Sequence, residues 1–131
     1  MPTLTGLLET CIYVQDLDRS EAFYQDVLGL KVIGRDTDRD VFFRVGPGSV
    51  LLAFRAEATL QGGMLPPHGA TGESHLALTI PPDELTSWKD HLTGHGVEVE
   101  LEFKWPRGTS LYFRDPDRNL LELVTADIWP D

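Results

Sequence analysis

The sequence predicts an α+β protein assembled from two βαβββ modules. Three observations lead there. The order of segments with strand and helix character runs strand, helix, strand, strand, strand twice along the chain. A shift of 70 residues lays VFFRVGPGSVLLAF (41–54) on LYFRDPDRNLLELV (111–124), with three of the fourteen positions identical and most others keeping apolar or turn character. Between the two copies lies AEATLQGGMLPPHGATG (56–72), a stretch rich in Gly and Pro with little periodicity. Module 1 is placed at about 7–55, the linker at 56–72 and module 2 at about 73–125. The two modules are expected to form one domain (1–131), a curved mixed sheet around a cleft.

Each element has a local reason. LLETCIYV (7–14) has strand character. Asp18, followed three residues later by Glu21, reads as a helix N-cap with a capping box; Phe23 and Val27 share one face, and Gly29 ends the helix. Strands follow near Leu30–Arg35, Val41–Val45 and Ser49–Arg55, the last two joined by the turn Gly46-Pro47-Gly48. In Ser74–Ile80, Leu76, Leu78 and Ile80 alternate with His75, Ala77 and Thr79. Pro81-Pro82-Asp83 opens a helix with Leu85, Trp88 and Leu92 on one stripe, closed by Gly94 and Gly96. The last strands are expected near Val97–Glu102, Thr109–Arg114 and Asn119–Thr125.

Composition narrows the function. At 131 residues the chain fits one domain on a prior of roughly 150 residues. Twelve aromatic residues and many Leu and Val suffice for a core without a metal or disulfide staple. The single cysteine, Cys11, excludes an internal disulfide; with no basic, apolar leader and no apolar run longer than Val50–Phe54, the expectation is a cytoplasmic protein with no membrane partner. Eleven basic against twenty-one acidic residues, a net charge of −10, argue against nucleic acid.

The pleat selects the chemistry. If Ile12, Val14, Leu76, Leu78, Leu121 and Leu123 face the helices, then Glu9, His75 and Glu122 project from the opposite face. The repeat makes His75 the counterpart of Glu9, and Glu122 the counterpart of Leu52. Were that face to curve into a cleft, one imidazole and two carboxylates would converge as a set suited to Mn²⁺, Fe²⁺, Ni²⁺, Zn²⁺ or Mg²⁺. Taken singly, each has a plainer reading: a solvent-facing Glu9, a structural His75, an unusual strand carboxylate at 122. His91 and His95 stand four apart but at a helix end, where contact with its negative pole accounts for them. His68 falls in the linker, exposed unless that segment folds over the cleft. Cys11 lies on the face of Glu9, as a cleft wall or a small apolar filler.

Two stretches, LLETCIYVQDLDRSEAFYQDVLGLKV and TSLYFRDPDRNLLELV, resemble the signature stretches of the vicinal oxygen chelate superfamily, which holds glyoxalase I, extradiol dioxygenases, fosfomycin-resistance transferases and bleomycin-binding proteins. The resemblance covers essentially the whole chain. It implies that Glu9, His75 and Glu122 are the metal ligands, and that Leu52 stands where glyoxalase I has a fourth, carboxylate ligand. Tyr112 matches a position that often contacts ligand. Trp105, in the loop before it, is an aromatic that serves either as a ligand wall or in packing. Lys104, Arg107 and Arg114 are the cations available for a phosphonate. The expected protein is a small metal-dependent enzyme, a dioxygenase, lyase or transferase, acting on a small molecule whose adjacent oxygens chelate the cation. The alternative is a bleomycin-type drug-sequestering protein with an acidic, aromatic-lined groove, for which Trp105, Tyr112, Phe42 and Phe54 are candidates. Leu52, Cys11, Phe54, Tyr112 and Trp105 are thus the expected substrate-contacting residues. Relatives of this size commonly pair their modules between chains, so a homodimer is expected, with Glu9 of one chain meeting His75 and Glu122 of the other.

Overall fold

Apolar side chains at every second strand position decide which face each strand buries. In the computed structural model, which describes residues 1–130, Ile12 and Val14 of β1 (Glu9–Tyr13 and the residue after it) are buried while Glu9 is exposed. Helix α1 (Leu17–Asp26) lays Leu17 and Tyr24 on that buried side. Strands β2 (Lys31–Asp36), β3 (Asp40–Val45) and β4 (Ser49–Phe54) follow, and Val41, Phe43, Leu51 and Ala53 complete the core of the first unit. The rings of Tyr24 and Phe43 meet with centroids 5.4 Å apart.

The helix cap lies two residues ahead of the expected position. Asp16, not Asp18, accepts from the backbone N–H of Arg19 at 3.1 Å. Starting the helix at Leu17 buries that leucine. Asp18 and Glu21 instead reach Arg35 of β2, at 2.7 and 3.8 Å. Asp16→Ala is therefore expected to cost about 1 kcal/mol in denaturant unfolding, whereas Asp18→Ala loses only an exposed ion pair.

The sheet order is β1-β4-β3-β2, with β1 and β4 parallel and the other pairs antiparallel. The chain after β4 is not featureless. Ala56–Leu60 forms a short helix, α2, in which the buried Thr59 hydroxyl bonds the carbonyls of Arg55 and Ala56. Gly69 then packs so closely on Leu60 that an added Cβ would stand 2.7 Å from it.

The second unit begins at Gly72. It consists of β5 (His75–Thr79), α3 (Leu85–Gly94, preceded by a 3₁₀ turn at Pro82–Glu84), β6 (Leu101–Lys104), β7 (Thr109–Arg114) and β8 (Leu120–Val124). Its order, β5-β8-β7-β6, repeats that of the first unit, with β5 and β8 parallel. Leu92, Leu111, Phe113, Leu121 and Leu123 are buried together with Ile80. The backbone thus pairs into two four-stranded mixed sheets, each with its own helices. The strand expected at Val97–Glu102 is displaced: Val97 N–H closes α3 on Leu92, residues 97–100 lie outside the strand, and β6 runs from Leu101 to Lys104.

Register confirms the internal equivalence. Glu9 lies opposite Val50 and His75 opposite Leu120; Cys11 lies opposite Leu52 and Ala77 opposite Glu122. Since 50 and 52 map to 120 and 122 on the 70-residue shift, Glu9 and His75 are counterparts, as are Leu52 and Glu122.

Candidate functional site

The helix-free face of the second sheet gathers a polar group around Glu122. Leu121 and Leu123 point into the core, so the pleat turns Glu122 the other way, beside Tyr112 of β7 in the ladder. The carboxylate is only 6% exposed, yet it is well supplied with partners. Ser110 donates its hydroxyl proton to Oε2, and the Trp105 indole N–H donates to the Ser110 hydroxyl at 2.9 Å. The other oxygen, Oε1, faces His75 Nε2 at 3.3 Å.

His75 is held at its far nitrogen. Nδ1 lies 2.8 Å from the Leu120 carbonyl, which can only accept, so Nδ1 carries the proton. With Nδ1 engaged in this way, Nε2 is the nitrogen turned toward Glu122. Two ligands of one ion at about 2.1 Å stand roughly 3.0–3.4 Å apart in octahedral or tetrahedral geometry. The observed 3.3 Å falls in that interval, a spacing compatible with a shared divalent cation and equally with a direct ion pair.

Tyr112 closes the group, its ring 6.4 Å from that of His75. Desolvation, and then the negative charge of Glu122, push its phenol above the ordinary tyrosine range. Below the ordinary range Tyr112 is protonated folded or unfolded. Above it the unfolded chain loses the proton first, so the contribution to stability falls as pH rises toward the folded value. Unfolding monitored above about pH 10 is expected to show a shallower alkaline loss for Tyr112→Phe than for the parent.

Beside this group lies an open depression of about 250 Å³. Leu101, Phe103, Trp105, Tyr112 and Leu120 line it, with Glu100 and Arg114 also on its wall. Arg114 is engaged by Glu100 at 3.0 Å and Glu73 at 3.3 Å, and Arg107 donates to the Trp129 carbonyl. Two of the three cations considered for a phosphonate are therefore already committed within the fold.

The first unit presents a different face. Glu9 is exposed at its edge and Cys11 is half-buried beside it; burial, and then Glu9, raise the Cys11 thiol above its ordinary range. Leu52, 8% exposed, and Phe54 are buried, and Phe54 packs on Phe42 at 5.4 Å. His68 is only partly exposed: it accepts or donates at 2.7 Å with the Tyr13 hydroxyl and stands edge-on to Phe54 at 4.8 Å. His91 and His95 sit at the end of α3, where His95 N–H and Nδ1 both meet the His91 carbonyl. Among the described residues, no group of three or more His, Cys, Asp or Glu side chains is gathered at metal-binding spacing, and no helix is long and apolar enough to cross a membrane.

Sequence reasoning passed over Ser110. Its signal was the alternation in β7, where Ser110, Tyr112 and Arg114 share the face opposite buried Leu111 and Phe113. A small hydroxyl on that face, one strand from a carboxylate, is a ready hydrogen-bond donor.

Comparison with known proteins bears on the family and the fold. Metallothiol transferase FosB of Staphylococcus saprophyticus is 28% identical over 117 residues, covering 88% of this chain and 73% of that protein. A catechol-2,3-dioxygenase of Bacillus subtilis is 31% identical over 84% of this chain and 38% of its own length. The crystal structure of a lactoylglutathione lyase from Agrobacterium tumefaciens superposes with a TM-score of 0.90 at 32% identity, over 97% of this chain and 98% of that one. The model of the Glyoxalase/Bleomycin resistance protein/Dioxygenase superfamily matches residues 6–123, and the chain belongs to that superfamily.

Proposed function

We propose that the protein is a divalent-metal-dependent enzyme of the glyoxalase/dioxygenase type, with His75, Glu122 and Glu9 as the ligands. The observation that carries the reading is the His75–Glu122 pair. Each side chain has one end fixed, by the Leu120 carbonyl and by Ser110, and turns its remaining donor atom toward the other at 3.3 Å. Glu9 is the third ligand because it occupies, in the first unit, the register position that His75 holds in the second. When bound, the cation supplies Lewis acidity to a substrate with two adjacent oxygens. The chain's own residues do the rest. Tyr112, protonated at neutral pH, offers a hydroxyl beside the site, and Trp105 and Phe103, 4.6 Å apart, give the depression an aromatic wall. Leu52 stands at the counterpart of Glu122 and offers neither a ligand nor a proton acceptor. Group transfer or oxygen addition, the chemistry named in the transferase and dioxygenase relatives, suits such a site better than an isomerisation needing a carboxylate there.

In this proposal two copies pair, and Glu9 of one chain serves His75 and Glu122 of the other. Light scattering at micromolar concentration is expected to give twice the chain mass; a stable 14.6 kDa particle contradicts the pairing. Elemental analysis of protein purified without chelator tests the function itself. A first-row divalent metal near one equivalent per chain is the expected result. Metal-free protein that binds cationic aromatic drugs supports the sequestering alternative, for which the aromatic depression and the charge of −10 are suited.

A further inference from the structure

We infer that Trp105 is a positioning residue for the Glu122 carboxylate, acting through Ser110. The inference rests on the reading of Glu122 as a metal ligand. Three buried or half-buried groups form a hydrogen-bond chain of fixed direction: Trp105 N–H to Ser110 hydroxyl to Glu122 Oε2. An indole N–H can only donate, so it occupies a lone pair of the Ser110 oxygen, whose hydroxyl proton goes to Glu122 Oε2; the Tyr112 side chain adds a hydrogen bond to each of Ser110 and Glu122. With Oε2 bonded in this way, Oε1 is the oxygen presented beside His75 Nε2. Ser110 is fully buried, so no water replaces a lost donor cheaply.

The loop is built to hold the indole there. The backbone N–H of Trp105 donates to the Gly108 carbonyl at 2.7 Å, turning the chain sharply from β6 into β7. An added Cβ at Gly108 would stand 3.0 Å from the Thr125 hydroxyl, so the turn is closely seated on the end of β8. Phe103 packs against the other side of the indole. Trp105 also lines the depression, so a molecule settling there touches the residue that orients the carboxylate.

The test is a double-mutant cycle on Mn²⁺ affinity, measured by calorimetry on metal-free protein. Trp105→Phe keeps a smaller aromatic wall and removes the donor. Ser110→Ala is expected to weaken Mn²⁺ roughly 10–100-fold, the usual effect of losing a group that orients a ligand, and Trp105→Phe by about 10-fold, the lower edge of that range. In the Ser110→Ala background Trp105→Phe has no further effect, because the chain is already broken. A packing role gives fully additive losses instead, and that result overturns the inference. So does a Trp105→Phe protein that binds Mn²⁺ as tightly as the parent, which decides the matter even if Ser110→Ala fails to fold. A parent that binds no Mn²⁺, Ni²⁺ or Zn²⁺ removes the ligand reading of Glu122, and the inference with it.

Discussion

His75→Ala is expected to abolish stoichiometric binding of Mn²⁺, Ni²⁺ or Zn²⁺, a fall of more than about 100-fold and so beyond that of residues that merely orient ligands. The imidazole supplies the neutral nitrogen of the set, and alanine offers no substitute. The fold survives the change, since the His75 side chain is about half exposed and its one backbone partner, the Leu120 carbonyl, lies near solvent. Glu122→Gln is expected to act as strongly, because the amide keeps the shape but loses the charge that holds the cation. Glu9→Ala weakens binding by a smaller factor. Calorimetric titration of the three metal-free variants, with circular dichroism to confirm folding, checks the ranking.

Asn119→Ala is expected to cost about 2–4 kcal/mol, since it strands polar partners whose loss is worth roughly 1–3 kcal/mol each when buried. Asn119 is almost fully buried in the turn between β7 and β8. Its Oδ1 accepts from Ser74 N–H at 2.8 Å, and its Nδ2 donates to Asp115 at 2.9 Å. Asp115 in turn accepts from the backbone N–H groups of Asp117 and Asn119, which holds Arg118 in a left-handed conformation at φ 69°. The amide therefore ties β5 to the β7–β8 turn immediately before His75. Thermal unfolding is expected to shift down on the order of 10 °C, with weaker metal binding in the surviving folded protein.

Much of this was legible because the repeat is strong. Val41–Val45 and Thr109–Arg114 alternate in burial along most of their length, Ser49–Phe54 is an apolar run buried from Leu51 to Phe54 after a clear turn, and all three strands fall where the sequence puts them. The faces of Glu9, His75 and Glu122 followed from the same pleat. The errors lie where tertiary partners override local motifs. Asp18 and Glu21 match a capping box, but Arg35 draws both carboxylates away and Asp16 caps instead. The helix Ala56–Leu60 is one turn long, too short to show periodicity, and depends on the buried Thr59 hydroxyl. The Trp105–Ser110–Glu122 chain joins a loop and two strands by side-chain direction, which spacing alone does not encode.

The most direct measurement is a calorimetric titration of the metal-free parent with Mn²⁺, Ni²⁺ and Zn²⁺ at neutral pH. Binding near one ion per chain and well below millimolar for at least one of the three, lost in His75→Ala, is the predicted result. No binding tighter than millimolar by any of them, or equal binding by parent and His75→Ala, contradicts a metal site at His75, Glu122 and Glu9.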